Sequence, residues 1–313
     1  MRWSPARVLL LPPYRDLAVD KQKSKTWFIT GCDSGMGYAL AETLLAHGET
    51  VVVTARQVDS VAALLKQYPA SAFGHQLDVT QTSRIAEVVA QAEAQTGGID
   101  VLVNNAGYGV LGAAEETSAI EYRGMFEVNF FGLVETSRAV LPYMRRRRSG
   151  HIFNTSSYGG YAASPGWAMY ASSKFAVEGY SEALAQEVAP LGIRVTILEP
   201  GSFRTAFAGA SLLQTALRIE DYAQTPVALR RTSVNASDGN QPNDPKKLAF
   251  VLLRVTSMPQ VPLRLPLGID ALDRMRKKVV SVSAEFERWS PVAVSVGYDA
   301  PEDAAHTALP LGG

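Results

Sequence analysis

The sequence has little of what several classes of protein depend on, beginning with cysteine. Cys32 is the single cysteine among 313 residues, which excludes an intrachain disulfide and a cysteine-rich zinc site. The four histidines show no paired ligand spacing, so we predict no metal site. One lone cysteine is also typical of a reducing compartment, and we expect a cytoplasmic protein.

Excess charge and long apolar runs are also lacking. The 30 basic residues balance 30 acidic ones, which argues against a nucleic-acid partner. No segment reaches the apolar length that a membrane span requires. The short apolar run at residues 8–11 is ended by Pro12 and Pro13 without a small-residue cleavage site. We therefore expect residues 1–24 to be a disordered extension rather than a signal peptide.

What the chain does have is a regular alternation of short apolar runs and helical patterns from residue 25 to about residue 205. Hydrophobic residues make up 47% of the sequence, enough for a substantial core. Strict alternation of strands and helices predicts an α/β, doubly wound domain with a parallel sheet covered on both faces. We assign one domain to residues 25–289, with a substrate loop at about 206–245 and a flexible tail at 290–313.

A glycine-rich turn follows the first predicted strand and opens the first helix, with the pattern Thr30-Gly31-x-x-x-Gly35-x-Gly37. Glycines in this context let the backbone approach a pyrophosphate at a helix N-terminus. The spacing differs from the common G-x-G-x-x-G pattern, and tight turns also use glycine for structural reasons alone. The flanking strand and helix favour dinucleotide binding.

The second strand ends at Arg56, with no carboxylate before Asp59. An acid at this place favours NAD, whereas an arginine pairs with the 2′-phosphate of NADP. We therefore expect NADP(H) to be preferred, the alternative being a solvated surface arginine.

Two further polar groups follow the third and fourth predicted strands. Asp78 and Val79 end the third strand, where Asp78 can hydrogen-bond the adenine. The run Asn104-Asn105-Ala106-Gly107 closes the fourth strand, at the edge where ligands bind in open α/β sheets. The alternative for either group is a helix cap or an Asx turn.

A set of proton-transfer residues lies in the second half of the chain. Tyr170 and Lys174 have the i, i+4 spacing that places two side chains on one helix face, and Ser157 follows the preceding strand. A buried ammonium beside a phenol should lower the pKa of the phenol, and Ser157 can hold a substrate oxygen. Asn129, if its backbone is locally disturbed, can seat a water that links Lys174 to solvent. For a lone Tyr-x-x-x-Lys pair, an ordinary aromatic and a solvated lysine would be the more frequent interpretation.

Taken together with Pro200-Gly201-x-x-x-Thr205, these motifs resemble the short-chain dehydrogenase/reductase superfamily over about residues 25–205. The resemblance implies a Rossmann-like fold with a seven-stranded parallel sheet and reversible hydride transfer between a nicotinamide and a carbonyl or alcohol carbon. It implies that Tyr170 is the general acid/base, that Lys174 lowers its pKa and holds the ribose, that Ser157 polarises the carbonyl and that Asn129 supports the proton relay. The positions that match cofactor contacts are Gly31, Ser34, Gly35, Met36, Gly37, Arg56, Asp78, Val79, Asn105, Ala106, Gly107, Tyr170, Lys174, Pro200, Gly201 and Thr205. Ser34 stands where many NADP-preferring members have a basic residue, so NAD(H) stays open.

The resemblance leaves the substrate and the assembly as separate expectations. Aromatic residues that can line the cleft suit an apolar ketone or secondary alcohol, with core packing as the alternative; they are Tyr108, Tyr158, Tyr161, Trp167, Phe203 and Phe207. We expect a homodimer or homotetramer associated through the two long central helices. Two rival functions, a non-catalytic dinucleotide-sensing regulator and a sugar epimerase, fit less well because the Tyr-Lys pair is intact and no larger substrate domain follows.

Overall fold

Strands and helices alternate along the residues that the computed structural model describes, 24–205 and 212–298. The strands are β1 (Thr26–Ile29), β2 (Thr50–Ala55), β3 (Ala72–Gln76), β4 (Val101–Asn104), β5 (Gly109–Leu111), β6 (Gly150–Thr155), β7 (Ile193–Pro200), β8 (Leu212–Gln214) and β9 (Arg264–Leu267). The α-helices are α1 (Gly35–Ala46), α2 (Ala62–Gln67), α3 (Thr82–Thr96), α4 (Ala119–Phe126), α5 (Gly132–Arg147), α6 (Ala168–Val188), α7 (Pro226–Ser237), α8 (Lys246–Ser257) and α9 (Ile269–Val294).

Seven of these strands form one parallel sheet in the order β3-β2-β1-β4-β6-β7-β9. In its centre, Phe28 lies opposite Val52 on one side and Leu102 on the other. The order reverses between β1 and β4, and in open α/β sheets a ligand crevice lies outside the carboxyl ends of the strands at such a point. The prediction of a seven-stranded, parallel, doubly wound sheet is confirmed.

Two hydrophobic cores cover the two faces of the sheet. Successive residues of β1 point to opposite faces, so Trp27 and Ile29 belong to one core and Phe28 to the other. The first core is closed by α1 and α8, and the second by α3, α5 and α6. Because both faces are covered, the central strands β1 and β4 are buried at every position and are apolar except for Thr26 and Asn104.

A chain of buried amides and hydroxyls crosses the second layer. The Asn104 amide on β4 donates to Ser137 Oγ on α5 at 2.9 Å and to Asn154 Oδ1 on β6 at 2.8 Å. Asn154 in turn donates to Ser181 Oγ on α6 at 2.9 Å. All four residues are buried, so these hydrogen bonds connect both helices to the sheet where water does not compete.

The segment predicted as an irregular loop at 206–245 is more ordered than expected. Among its described residues, β8 pairs in parallel with β5, and α7 occupies Pro226–Ser237. Two short strands of three residues carry no usable alternation, and the small, polar residues of α7 give no clear apolar stripe, which explains both errors.

The last helix is also longer than expected. The predicted domain ends at residue 289, whereas α9 runs from Ile269 to Val294 with Pro291 inside it. The predicted tail therefore begins inside the helix, and residues 299–313 lie outside the described part of the chain, as do residues 1–23 and Phe207. Within the described ranges, no helix is both long and apolar enough to cross a membrane.

Candidate active site

The glycine turn between β1 and α1 is shaped by backbone geometry that only glycine adopts easily. Gly31 and Gly35 have φ angles of 70° and 60°, in the left-handed region. A Cβ on Gly37 would lie 2.5 Å from the amide nitrogen of Asn105. That amide donates to the carbonyls of Thr30 at 2.9 Å and Gly31 at 3.0 Å. The Asn105 side chain thus holds the glycine turn against the end of β4.

The N-terminus of α1 is prepared for an anion. Ser34 precedes the helix in an extended conformation, makes no side-chain capping hydrogen bond, and is exposed. No acidic residue lies in the first turn, so the backbone N–H groups and the positive end of the helix dipole face outward without a competing carboxylate. Met36 is partly buried against the core, and a Cβ on Gly35 would lie 3.6 Å from that of Thr205. A pyrophosphate fits this cradle.

Arg56 lies at the carboxyl end of β2, beside a surface cleft of ≈ 470 Å³. Its guanidinium is 3.7 Å from the carboxylate of Asp33, and the Arg56 side chain is 76% exposed. The remaining cleft residues are polar, namely Gln57, Ser60 and Gln76. Sequence reasoning missed Asp33, because its place inside the glycine turn gives no sign that it reaches the end of β2.

Asp78 and Val79 follow β3, and both make contacts within the protein. Asp78 Oδ1 accepts hydrogen bonds from the Thr80 amide at 2.9 Å and the Thr80 hydroxyl at 2.7 Å, which is the Asx turn considered as the alternative. Val79 is buried at the start of α5, where a Cβ on Gly132 would lie 2.7 Å from its side chain. A cofactor contact by this pair stays a prediction.

Pro200 and Gly201 end β7 at the same edge of the sheet. The Gly201 amide donates to the Leu267 carbonyl at 2.8 Å, and the next amide, that of Ser202, donates to Asp270 at 2.7 Å. Two elements, β9 and α9, therefore hold this turn beside the end of the sheet.

The structure brings Ser157, Tyr170 and Lys174 together as the sequence predicts. The Ser157 hydroxyl hydrogen-bonds the Tyr170 phenol and also accepts from the Gly159 amide at 3.0 Å. Lys174 lies one helical turn beyond Tyr170 on α6, with its ammonium 5.9 Å from the centre of the Tyr170 ring. The same ammonium donates to the carbonyl of Thr155, the last residue of β6, at 2.8 Å.

Burial dominates the acid–base properties of this pair. It raises the pKa of Tyr170 to about 12, although the hydrogen bond from Ser157 acts in the opposite direction. It lowers the pKa of Lys174 to about 8, opposed by the negative charge of Glu178. The expected lowering of the Tyr170 pKa by Lys174 is therefore not seen, because desolvation disfavours both charged forms.

Asn129 lies in a π-helical turn, Glu127–Phe131, between α4 and α5. Its buried amide donates to the Tyr108 carbonyl at 2.9 Å and Ser173 Oγ at 3.1 Å, and its oxygen accepts from the Tyr108 amide at 3.0 Å. A Cβ on Gly107 would lie 3.0 Å from the Asn129 oxygen and 3.5 Å from the Lys174 ammonium. The local disturbance of the backbone that the role of Asn129 requires is present, and Gly107 leaves room between the Asn129 oxygen and the Lys174 ammonium.

The aromatic residues proposed for the cleft divide into two groups. The Trp167 ring lies tilted against Tyr170 with 5.3 Å between centroids, and Tyr158 is near enough to influence the pKa of Tyr170. Tyr108 and Tyr161 are half-buried, whereas Phe203 packs on the core of the α1 side, so core packing is the correct interpretation for Phe203.

A residue that sequence reasoning missed, Arg274 on α9, holds the chain between Ser157 and Tyr170. Its guanidinium lies 5.7 Å from the centre of the Tyr158 ring. It donates to the carbonyls of Ala162 at 3.3 Å and Ala163 at 3.2 Å. No local pattern in the sequence connects these distant segments.

Comparison with known proteins is decisive for the family. A family model described as short chain dehydrogenase matches residues 25–215. This chain belongs to the short-chain dehydrogenase family. As a member, it is an NAD(P)-dependent oxidoreductase, and it uses a nicotinamide dinucleotide as cofactor.

Two curated relatives and one solved structure cover most of this short-chain dehydrogenase. Oxidoreductase BOA17 of Botryotinia fuckeliana is 39% identical over 87% of the chain and 99% of its own length. A 3-ketodihydrosphingosine reductase of Bacteroides thetaiotaomicron is 36% identical over 77% of the chain and 86% of its own length. The crystal structure of a short-chain dehydrogenase from Streptomyces avermitilis is 42% identical, covers 88% of this chain and 99% of its own, and superposes with a TM-score of 0.83.

Proposed function

We propose that this short-chain dehydrogenase is an NADP(H)-preferring oxidoreductase that interconverts an apolar or aromatic ketone and a secondary alcohol, with Tyr170 as the general acid/base. One observation carries the proposal: the Tyr170 phenol is hydrogen-bonded by Ser157 and lies one helical turn from the buried ammonium of Lys174. A proton donor, a hydroxyl and a cation are thereby collected at one edge of the sheet.

A bound nicotinamide would supply the hydride that reduces the carbonyl carbon. The Ser157 hydroxyl holds the carbonyl oxygen, and Tyr170 gives that oxygen its phenolic proton as negative charge develops there. Lys174 stabilises the resulting phenolate electrostatically and would hold the nicotinamide ribose. Asn129 orients Ser173 and the Tyr108 backbone beside Lys174, which supports return of a proton to the site.

Two features support binding of the cofactor. The glycine turn and the uncapped α1 N-terminus suit a pyrophosphate. The exposed guanidinium of Arg56 borders the cleft where the adenosine ribose lies in this architecture, and its planar fork suits a 2′-phosphate. NAD(H) dependence is a second candidate, favoured by Asp33, because a carboxylate 3.7 Å from Arg56 can accept hydrogen bonds from a 2′-hydroxyl.

The substrate class is inferred from the surroundings of Tyr170. The tilted Trp167 ring and the nearby Tyr158 place aromatic surface beside the proton donor. The relative named as a 3-ketodihydrosphingosine reductase has, by its name, a ketone substrate, which agrees with this class. Screening of ketones and secondary alcohols by nicotinamide absorbance tests the class, and activity confined to charged, hydrophilic substrates would contradict it.

Tyr170→Phe tests the assignment of the acid/base. We expect cofactor affinity within about threefold of wild type and a loss of turnover of at least about 100-fold, because only the transferable proton is removed. Tyr180→Phe, a half-buried tyrosine further along α6, is the matched control and should keep turnover. Equal turnover in Tyr170→Phe and wild type would remove Tyr170 from the proposed role.

A further inference from the structure

The final helix leaves the body of the protein after its second turn. Ala271 and Met275 are buried against the domain, with exposed fractions of 0% and 7%. From Arg276 to Val294, all residues except the half-buried Val282 are exposed. Helices in proteins gain most of their stability by packing an apolar face against another element. We therefore expect the exposed part of α9 to pack against a partner.

The exposed part of α9 carries an apolar seam that continues its buried face. Beyond Met275, apolar side chains recur at alternating steps of four and three residues, at Val279, Val282, Phe286, Trp289 and Ala293. Phe286 is 72% exposed and Trp289 58% exposed. A repeat of four and three, with an average of 3.5 residues, is the pattern by which one helix packs along another. A helix with a matching repeat would cover this seam.

The charges that flank this seam favour a second copy in the opposite direction. Lys278 and Glu285 are both exposed, each directly precedes a seam residue, and the two are one heptad apart. Antiparallel pairing of two identical helices sets Lys278 of one copy against Glu285 of the other, and two-fold symmetry makes the contact twice. In parallel pairing, the flanking residues at 276, 283 and 290 include two serines and no acid, so no such match arises.

We propose that two copies of this short-chain dehydrogenase associate through an antiparallel pairing of their α9 helices, along the seam formed by Val279, Val282, Phe286 and Trp289. This surface differs from the central helices expected to mediate assembly, and it is independent of the proposed function. A membrane surface is a weaker fit, because the apolar stripe is narrow and Glu285 and Glu287 accompany the basic residues.

The first test compares two glutamate substitutions at exposed apolar positions on different sides of α9. Val280 is 70% exposed and lies about 100° around the helix from Val279, off the seam. We expect Phe286→Glu to weaken the dimer at least about 30-fold in sedimentation equilibrium, and Val280→Glu to leave it unchanged. Circular dichroism and turnover at wild-type levels in both variants show that each remains folded.

The second test uses charge reversal and determines the direction of pairing. Lys278→Glu alone and Glu285→Lys alone each place like charges together twice, so each should weaken the dimer roughly 10-fold. An equimolar mixture of the two variants restores opposite charges at both contacts and should form a heterodimer with wild-type affinity. Both effects should diminish in high salt.

Four outcomes would overturn the proposal. A wild-type protein that is monomeric at tens of micromolar would exclude the pairing. The seam would then have another occupant, such as residues 1–23 of the same chain or a different partner. A dimer that Phe286→Glu leaves intact would locate the interface elsewhere, for example on α5 and α6. A monomer that binds phosphatidylserine vesicles through Phe286 would make a membrane the occupant, and a mixture no tighter than its components would exclude the antiparallel register.

Discussion

The guanidinium of Arg56 lies 3.7 Å from the carboxylate of Asp33, across the cleft at the end of β2. Both groups are solvated enough for the pair to contribute little stability, so Arg56 can exchange this partner for a phosphate without a large cost. We propose that the relation between these two residues sets the preference between NADP(H) and NAD(H).

For cofactor choice, we expect Arg56→Ala to weaken NADPH binding about 10- to 100-fold and NADH binding less than about threefold, since a charge-assisted hydrogen bond to the 2′-phosphate is lost. Asp33→Ala should leave NADPH affinity unchanged or improved and should weaken NADH. Fluorescence titration of each cofactor measures both effects, with Gln57→Ala as the uncharged control in the same cleft. Equal losses for NADPH and NADH in Arg56→Ala would identify Arg56 as a surface residue.

For the pH dependence, the raised pKa of Tyr170, about 12, keeps the phenol protonated at neutral pH. Alcohol oxidation needs the phenolate, whose fraction grows about tenfold per pH unit below the pKa, so kcat/KM for oxidation should rise from pH 6 to 8. Carbonyl reduction uses the phenol and should be nearly flat from pH 6 to 7, then decline through pH 8 as Lys174, with its pKa of about 8, loses its charge. An oxidation profile that is flat from pH 6 to 8 would be inconsistent with Tyr170 as the base.

Ser157→Ala provides the control for that profile. The hydrogen bond from Ser157 lowers the pKa of Tyr170. Its removal should therefore move the rise of kcat/KM for oxidation toward higher pH as well as reduce turnover. If Ser157→Ala loses turnover while the rise of kcat/KM for oxidation stays at the same pH, Ser157 does not influence the ionisation of Tyr170.

Gly107 leaves space beside the proton-transfer residues, and we expect a side chain at this position to reduce turnover. A Cβ would lie 3.0 Å from the Asn129 oxygen, so Gly107→Ala should displace Asn129 and lower kcat about 10-fold or more, with a small change in the free energy of unfolding. Gly179→Ala on α6 is the control, because its Cβ meets no atom within 4 Å. That control should keep kcat and gain roughly 0.5–1 kcal/mol of stability. Wild-type kcat in Gly107→Ala would show that the space beside Asn129 is not needed for turnover.

For stability, the decisive group is Glu199, a completely buried residue of β7. Burial and the nearby Glu178 raise its pKa to about 8, against the opposing effect of Arg264. The folded protein therefore holds this proton more tightly than the unfolded chain, and the free energy of unfolding declines as the pH rises from about 4.5 toward 8.

Glu199→Gln removes this pH dependence. Relative to wild type, the variant should gain on the order of 2 kcal/mol between pH 5 and pH 8, as measured by denaturant unfolding at both values. Glu182→Gln, an exposed partner of Arg264, is the control and should keep the wild-type slope. A wild-type slope in Glu199→Gln would mean that Glu199 is already ionised in the folded protein.

The strands of the large sheet could be predicted because each is a short apolar run buried on both faces, as Val51–Val53 illustrates. The grouping of Ser157, Tyr170 and Lys174 could also be predicted, since two of them share a helix face and the third follows the preceding strand. The π turn at Asn129 depends on tertiary contacts and could not be predicted. The sequence only indicated that Asn129 needs a disturbed backbone to take part in the proton relay. Asp33 and Arg274 could not be found, because each acts on a residue far away in the chain or across a turn. The direction of the Tyr170 pKa depends on burial, which the local sequence does not report.

The amide chain from Ser137 through Asn104 and Asn154 to Ser181 has a consequence for the reaction centre. Each amide has partners on a particular turn of α5 or α6, so either helix would orphan a buried donor if it slid along the sheet by one residue. These hydrogen bonds fix the positions of both helices along the strands. They therefore also fix the distance between Asn129 and Lys174. Residues around the substrate can therefore change widely, because the buried hydrogen bonds between the sheet and these helices keep the proton-transfer groups aligned.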